Sequence, residues 1–269
     1  MTFATADNLD WNVISRNLTY SVDGTEYNVP GKRVQLRDDT HGVVGITSDA
    51  YTVFQNSELK NLVMPMVEEG LLEIRNIGYL GFGAKVFVQA QMTESYKVVG
   101  EEHKGSLTIL NSHDGSSALA AGVTDTRVIC SNTFASALTD LDTRIRHTSD
   151  IGTKALDIKS TLNFVNEGMA KFAQASELLA STPCDDTTLN ELISVAYGRE
   201  TVRARNQIVD FYRAGVGNEG KTMWDALNGV TQYITHNSNK SSEKRFASAN
   251  FGSGSQVSRR FMNAALELV

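Results

Sequence analysis

The chain has few of the residues that staple, kink or anchor a fold. Only two cysteines and three prolines occur in 269 residues. Cys130 and Cys184 lie far apart, the first in an apolar stretch and the second beside Pro183. Neither a disulfide framework nor a zinc site is expected, and a reducing cytosol is the natural setting. No apolar run approaches the roughly 20 residues that cross a bilayer, and the acidic start MTFATADNLDWN lacks the apolar core of an export signal. No membrane association is expected. Excess positive charge is missing too. A net charge of -6 and a pI near 5.4 argue against coating duplex DNA by bulk attraction.

Catalytic signatures are equally scarce. His41, His103, His113, His147 and His236 form no metal-ligand spacing with one another or with neighbouring acids and cysteines. There is no G-x-x-x-x-G-K-[ST] and no G-x-S-x-G. The glycine cluster GYLGFG at 78 to 83 sits between strands, with no following helix to hold a phosphate. The expectation is a protein that is not an enzyme and needs neither cofactor nor metal.

What is present centres on residues 105 to 147. Ser106 to Leu110 and Ala118 to Val123 read as strands, joined by NSHDGSS, whose Asn, Asp, Gly and Ser favour a tight reversal. Within it, His113-Asp114 reads first as a turn pair, and the other reading of the pair is metal-dependent catalysis. A helix is expected next, capped by Ser131 or Asn132, with Ile129, Phe134, Leu138 and Leu141 near a 3.6-residue spacing.

Ahead of this stretch, residues 1 to 30 read as an arm or short hairpin turning at Asp23-Gly24. Arg33 to Arg37 and Val43 to Thr47 flank DDTHG as a second hairpin. A helix opens near Asn56 or Ser57, buries Leu59, Leu62, Val63, Met66 and Val67, and ends near Gly70 with a break or kink at Pro65. Strands at Leu72 to Tyr79 and Ala84 to Met92 follow, the second with one polar face; 93 to 104 is charged enough for a solvated loop.

After 151 the spacing turns helical. Ala155, Ile158, Leu162, Val165, Met169, Phe172 and Leu179 line one long helix that Pro183 stops. Further helices open at Asp185 or Asp186, run from about 200 to 214 and over 222 to 235, then give way to a polar loop before a last helix at Val257 to Leu268. The fold class is therefore α+β: an antiparallel β-hairpin sheet with a crossing helix, followed by a mostly helical C-terminal half. The domain reading is an arm at 1 to 30, an α+β core at 31 to 150, and a helical region at 151 to 269 packed on that core.

Basic residues cluster against the overall acidity. Lys240, Lys244, Arg245, Arg259 and Arg260 stand near one acid, Glu243, with Phe246 and Phe251 interleaved. Cations beside aromatics suit a single strand, because phosphates are neutralised while bases stack. Arg127, Arg144, Arg146 and His147 form a second group, with Asp125, Asp140 and Asp142 close enough in sequence to neutralise it.

The ordered motifs NSHDGSSA, TRVICSNTFASAL, RIRHT, TMWDALNGVTQYITH and FGSGSQ resemble a family of phage/plasmid-like proteins of unknown function, from about residue 43 to the C-terminus. Its cysteine-asparagine-threonine stretch corresponds to Cys130-Ser131-Asn132-Thr133. That resemblance implies a mobile-element protein acting in the cytoplasm of a bacterial host and brings no catalytic residues. A topological likeness to the core of single-strand annealing recombinases implies a homo-oligomer, as a ring or helical filament, holding single-stranded DNA in a basic groove. Lys85, Arg127, Arg144, Arg146 and His147 would then lie along the strand, with Lys244, Arg245, Arg259 and Arg260 guiding it. The function expected is single-strand binding that assists annealing or recombination. The alternative is a counter-defence or host-takeover protein that binds a bacterial host protein.

Overall fold

Turn chemistry decides where the first fifty residues reverse. In the computed structural model, which describes residues 4–127, 133–135, 143–155, 161–199, 202–238 and 241–269, a short β1 (Ala4–Ala6) precedes β2 (Val13–Val22) and β3 (Thr25–Arg37). Asp23 and Gly24 both take positive φ, 50° and 78°, the left-handed conformation that closes a two-residue hairpin. β3 reverses again at 38–42 into β4 (Val43–Ser48), so the two expected hairpins share one strand in the order β2-β3-β4. Asp38 holds that second reversal by accepting the Asn12 backbone N–H at 2.8 Å and its side-chain amide at 2.9 Å.

Next come α1 (Asn56–Asn61) and α2 (Met64–Glu68). Gln55 and Glu58 form a capping box on the first, and Pro65 lies in the first turn of the second. The expected break thus falls at Leu62 and Val63, both buried with Leu59 and Met66.

The larger sheet is built from β5 (Leu72–Leu80), β6 (Lys85–Met92), β7 (Tyr96–Val98), β8 (Glu101–Ser112), β9 (Leu119–Arg127), β10 (Thr133–Ala135) and β11 (Thr143–Ile145). Its order is β1-β5-β6-β8-β9-β10, with β7 pairing β8 and β11 pairing β9. Three readings of the sequence are corrected here. β6 has no polar face, because it is an interior strand and even Gln89 is buried. The charged stretch 93 to 104 is a β7–β8 hairpin through Val99 and Gly100, with Val98 and His103 fully covered. Where a crossing helix was expected, Thr133–Ala135 and Thr143–Ile145 are strands antiparallel to β9. Its proposed caps Ser131 and Asn132, with Ile129, Leu138 and Leu141, lie outside the described residues, as do Asp140 and Asp142.

The C-terminal half is helical: α3 (Ile151–Ala155), α4 (Thr161–Ser181), α5 (Asp186–Tyr197), α6 (Val202–Ala214), α7 (Met223–Gln232), a π-helical turn at Tyr233–Asn237, α8 (Ser242–Phe251) and α9 (Ser253–Leu266). Asp185 caps α5 by accepting the Thr188 N–H at 2.8 Å, and Thr222 with Asp225 forms a capping box on α7. Ser176 interrupts the apolar seam of α4 without exposing it, since its hydroxyl donates to the Phe172 carbonyl at 2.8 Å. The expected polar loop before the last helix is instead α8 followed at once by the start of α9. Ser241 caps α8, and Ser248 and Ala249 are buried on it.

The chain divides into two units. The first comprises residues 1–91, 107–122 and 141–162, with a core that includes Leu9, Trp11, Phe54, Leu59, Val86, Val88, Leu107, Ile109 and Leu119. The second comprises 92–106, 123–140 and 163–269, cored by Phe172, Leu179, Leu189, Ile193, Ile208, Trp224, Leu227 and Phe261. Each fully buried Leu, Ile or Phe contributes about 1.5–3 kcal/mol. The α+β class holds: antiparallel hairpins first, helices after.

Candidate nucleic-acid interface

In the first unit, the turn between β8 and β9 builds one wall of a cavity. Asp114 fixes this turn by accepting the Ser112 hydroxyl at 2.6 Å and the Ser116 N–H at 2.9 Å. Burial would raise the Asp114 carboxyl, but those bonds and the nearby Lys85 charge hold it below the usual range. Gly45 on β4 lets the smaller sheet approach, because a Cβ there would sit 2.4 Å from the Asp114 Cα.

His113 faces inward. Asn56 donates its amide to the Trp11 carbonyl at 2.8 Å, so its oxygen is left to accept from His113 Nε2 at 2.9 Å. The Trp11 ring stands edge-on at 5.7 Å. Nδ1 has no partner to which it could donate a second proton. Burial, reinforced by His147, pushes this imidazole down to about 3, so it is neutral at pH 7. His113 and Asp114 thus bond to different partners.

The cavity, about 480 Å³, is lined by Ser48, Ala50, Tyr51, Gly115 to Ala118 and Arg146 to Thr148. Its volume lies in the range of small-ligand clefts. Tyr51 and His147 stack at 4.6 Å between ring centroids, 19° from parallel. Tyr51 donates its hydroxyl to the Ser112 carbonyl at 2.6 Å, and His147 Nδ1 donates to the Thr52 carbonyl at 3.1 Å. Both rings are held in place. Burial lowers His147 and raises Tyr51, so neither carries charge near neutral pH. Arg146 is exposed and makes no ion pair with a described residue. It is the cation of this cavity.

Of the residues expected to hold a strand, the first unit thus contains Lys85, Arg144, Arg146 and His147. Lys85 is half-buried at the start of β6, and Arg144 is the central residue of β11, opposite Ala120. His147 is 8% exposed and serves as a stacking ring, not as a charge. Tyr51 was missed by sequence reasoning; its only signal is an aromatic just past the end of a strand.

The second unit contains the others. Arg127 is a correction: it is 1% exposed and cannot reach a phosphate. Its guanidinium makes a forked pair with Glu101 and donates to the Val216 carbonyl at 2.9 Å and to Asn228 Oδ1 at 3.1 Å. Gly217 is required beside it, at φ 72° and with the guanidinium where a Cβ would stand. Asp125 does not neutralise Arg127. It accepts from the fully buried His103 and, at 2.6 Å, from the hydroxyl of the half-buried Tyr96. Burial raises this carboxyl, against the lowering influence of His103 and Tyr96. Lys244 and Arg245 are half-buried on α8, Arg259 is half-buried on α9, and Arg260 is exposed. Among the described residues, no three His, Cys, Asp or Glu side chains gather as metal ligands, and no helix is long and apolar enough to cross a membrane.

An α+β chain with antiparallel hairpins ahead of a helical half, and with two stacked rings and one exposed arginine at a cavity, is what the geometry defines. The chain belongs to the DUF932 family, a domain of unknown function whose model matches residues 43–256. No curated protein and no solved structure matches it.

Proposed function

We propose that the protein binds single-stranded DNA and assists strand annealing or recombination, as a protein of a phage or other mobile element. The observation that carries this reading is Arg146, exposed and without a carboxylate partner among the described residues, beside the locked Tyr51–His147 stack. A guanidinium binds phosphate through fixed, paired donors, and the half-buried Tyr51 ring, backed by the covered His147, is the flat surface offered to a base. Ser116 and Ser117 add hydroxyls at the same cavity. The mobile-element setting draws on the motif resemblance described above; the topological likeness lends nothing to the annealing role, because strands β10 and β11 stand where its crossing helix was expected. Annealing brings two bound strands together, so the protein acts as a homo-oligomer.

Gel-shift titration with single-stranded oligonucleotides tests the reading. Binding at low salt that Arg146→Ala weakens about tenfold is expected, since a charge-assisted contact contributes roughly 1.5–3 kcal/mol. No shift at low salt, or a shift indifferent to Arg146, ends it. A stoichiometric host protein that survives nuclease treatment would favour the counter-defence alternative.

A further inference from the structure

The smaller sheet leaves one face uncovered. Alternation along β2, together with its pairing to β3 and β4, places Ile14, Arg16, Tyr20 and Val22 of β2 on the same side as Tyr27, Lys32, Val34 and Leu36 of β3 and Val43, Ile46 and Ser48 of β4. The opposite side is identified by its bonds: Arg33 to Ser15 and Asn17, Gln35 to Ser15 and Thr47. On the outer side Tyr20, Val22, Tyr27, Val43 and Ile46 are between 46% and 59% exposed. Isolated exposed apolar residues are ordinary, but five on one sheet face form a binding patch.

Charge decides the occupant. The face carries two cations, Arg16 and Lys32, and no carboxylate; Glu26, paired with Ser21, falls on the other side. A second copy docked face to face would bring these cations onto an apolar surface with nothing to neutralise them. A polyanion with flat rings fits both features. Tyr20 and Tyr27 already stack on each other at 5.5 Å, a ready surface for a base. Val13 to Val22 extends about 30 Å, long enough for several nucleotides of the roughly 4 to 16 held by comparable platforms. The face also continues into the cavity described above, because Ser48 lines that cavity and pairs across the sheet with Lys32.

We infer that the outer face of β2-β3-β4 is the stacking platform for the single strand, with bases on Tyr20 and Tyr27 and phosphates on Arg16 and Lys32. This rests on the single-strand reading of the preceding subsection. Fluorescence anisotropy with a labelled 20-nucleotide oligothymidine separates the two. Wild type should bind. Tyr20→Ala/Tyr27→Ala should bind at least about tenfold more weakly, and Arg16→Ala/Lys32→Ala should flatten the salt slope by about 1.4, the loss of two single-strand phosphate contacts. All four side chains are exposed or at the surface, and an unchanged circular-dichroism melt shows that the variants fold. Wild-type binding with both variants unaffected overturns the platform and leaves the cavity reading standing. No wild-type binding overturns both. A wild-type dimer that Tyr20→Ala/Tyr27→Ala converts to monomer, measured by light scattering without DNA, shows the face to be a contact between copies and overturns the platform.

Discussion

Arg127 in the second unit and Arg146 in the first are held in opposite ways. In the second unit Arg127 is sealed in, with Glu101, two backbone carbonyls and Asn228 meeting its donors. In the first, Arg146 stands in solvent beside two stacked rings. In sequence both belong to one basic cluster. What separates them is whether a carboxylate answers within hydrogen-bond reach, which makes one a structural member and leaves the other available to a ligand.

The largest test of that contrast is Arg127→Ala. Removing the buried guanidinium leaves the half-buried Glu101 and the Val216 and Asn228 acceptors without their donor, so urea unfolding should show a loss of about 3 kcal/mol. The contrast predicts no such loss for Arg146→Ala, whose exposed side chain should leave stability within about 0.5 kcal/mol. A destabilised Arg146 variant would blur the distinction.

Next in size is a pH effect confined to the first unit. The unfolded His113 titrates near 6.5, while the folded one stays neutral down to about 3. Between those values the unfolded chain binds the extra proton, so stability falls as the pH drops through this window and is fully present above it. At pH 5 the loss from His113 is about 2 kcal/mol. His113→Gln can still donate to Asn56 and should remove that portion; urea midpoints at pH 7 and pH 5 for both proteins measure the difference. An equal slope in both would show that His113 is solvated.

A smaller effect belongs to the second unit alone. Asp185→Ala removes the acceptor for the Thr188 N–H and should cost about 1 kcal/mol in thermal or urea unfolding.

Legibility in the sequence followed the range of the interaction. The hairpin at Asp23-Gly24, the break at Pro65 and the cap at Asp185 are each fixed within a few residues, and each was read. Stretches whose conformation depends on distant partners misled. Charge made 93 to 104 look like a loop, whereas Tyr96 pairs with His103 and both meet Asp125. Polarity hid α8, whose Ser248 and Ala249 are covered by tertiary packing. Arg127 was misjudged most, since Glu101 lies 26 residues away and Asn228 lies 101 away. The outer face of the smaller sheet was missed because strand alternation over 13 to 37 becomes meaningful only once the β2–β3 register, with its shift between Asn17 and Thr19, is known.

The most direct test of the central claim, that exposed cations of the first unit and not Arg127 hold phosphate, is the salt dependence of single-strand affinity. Anisotropy titrations from about 50 to 200 mM salt should give a linear log–log plot whose slope becomes less negative by about 0.7 in Arg146→Ala. Folded Arg127→Ala, assayed below its unfolding midpoint, should keep the wild-type slope. A slope unchanged by Arg146→Ala but reduced by Arg127→Ala, or affinity independent of salt, would contradict the account.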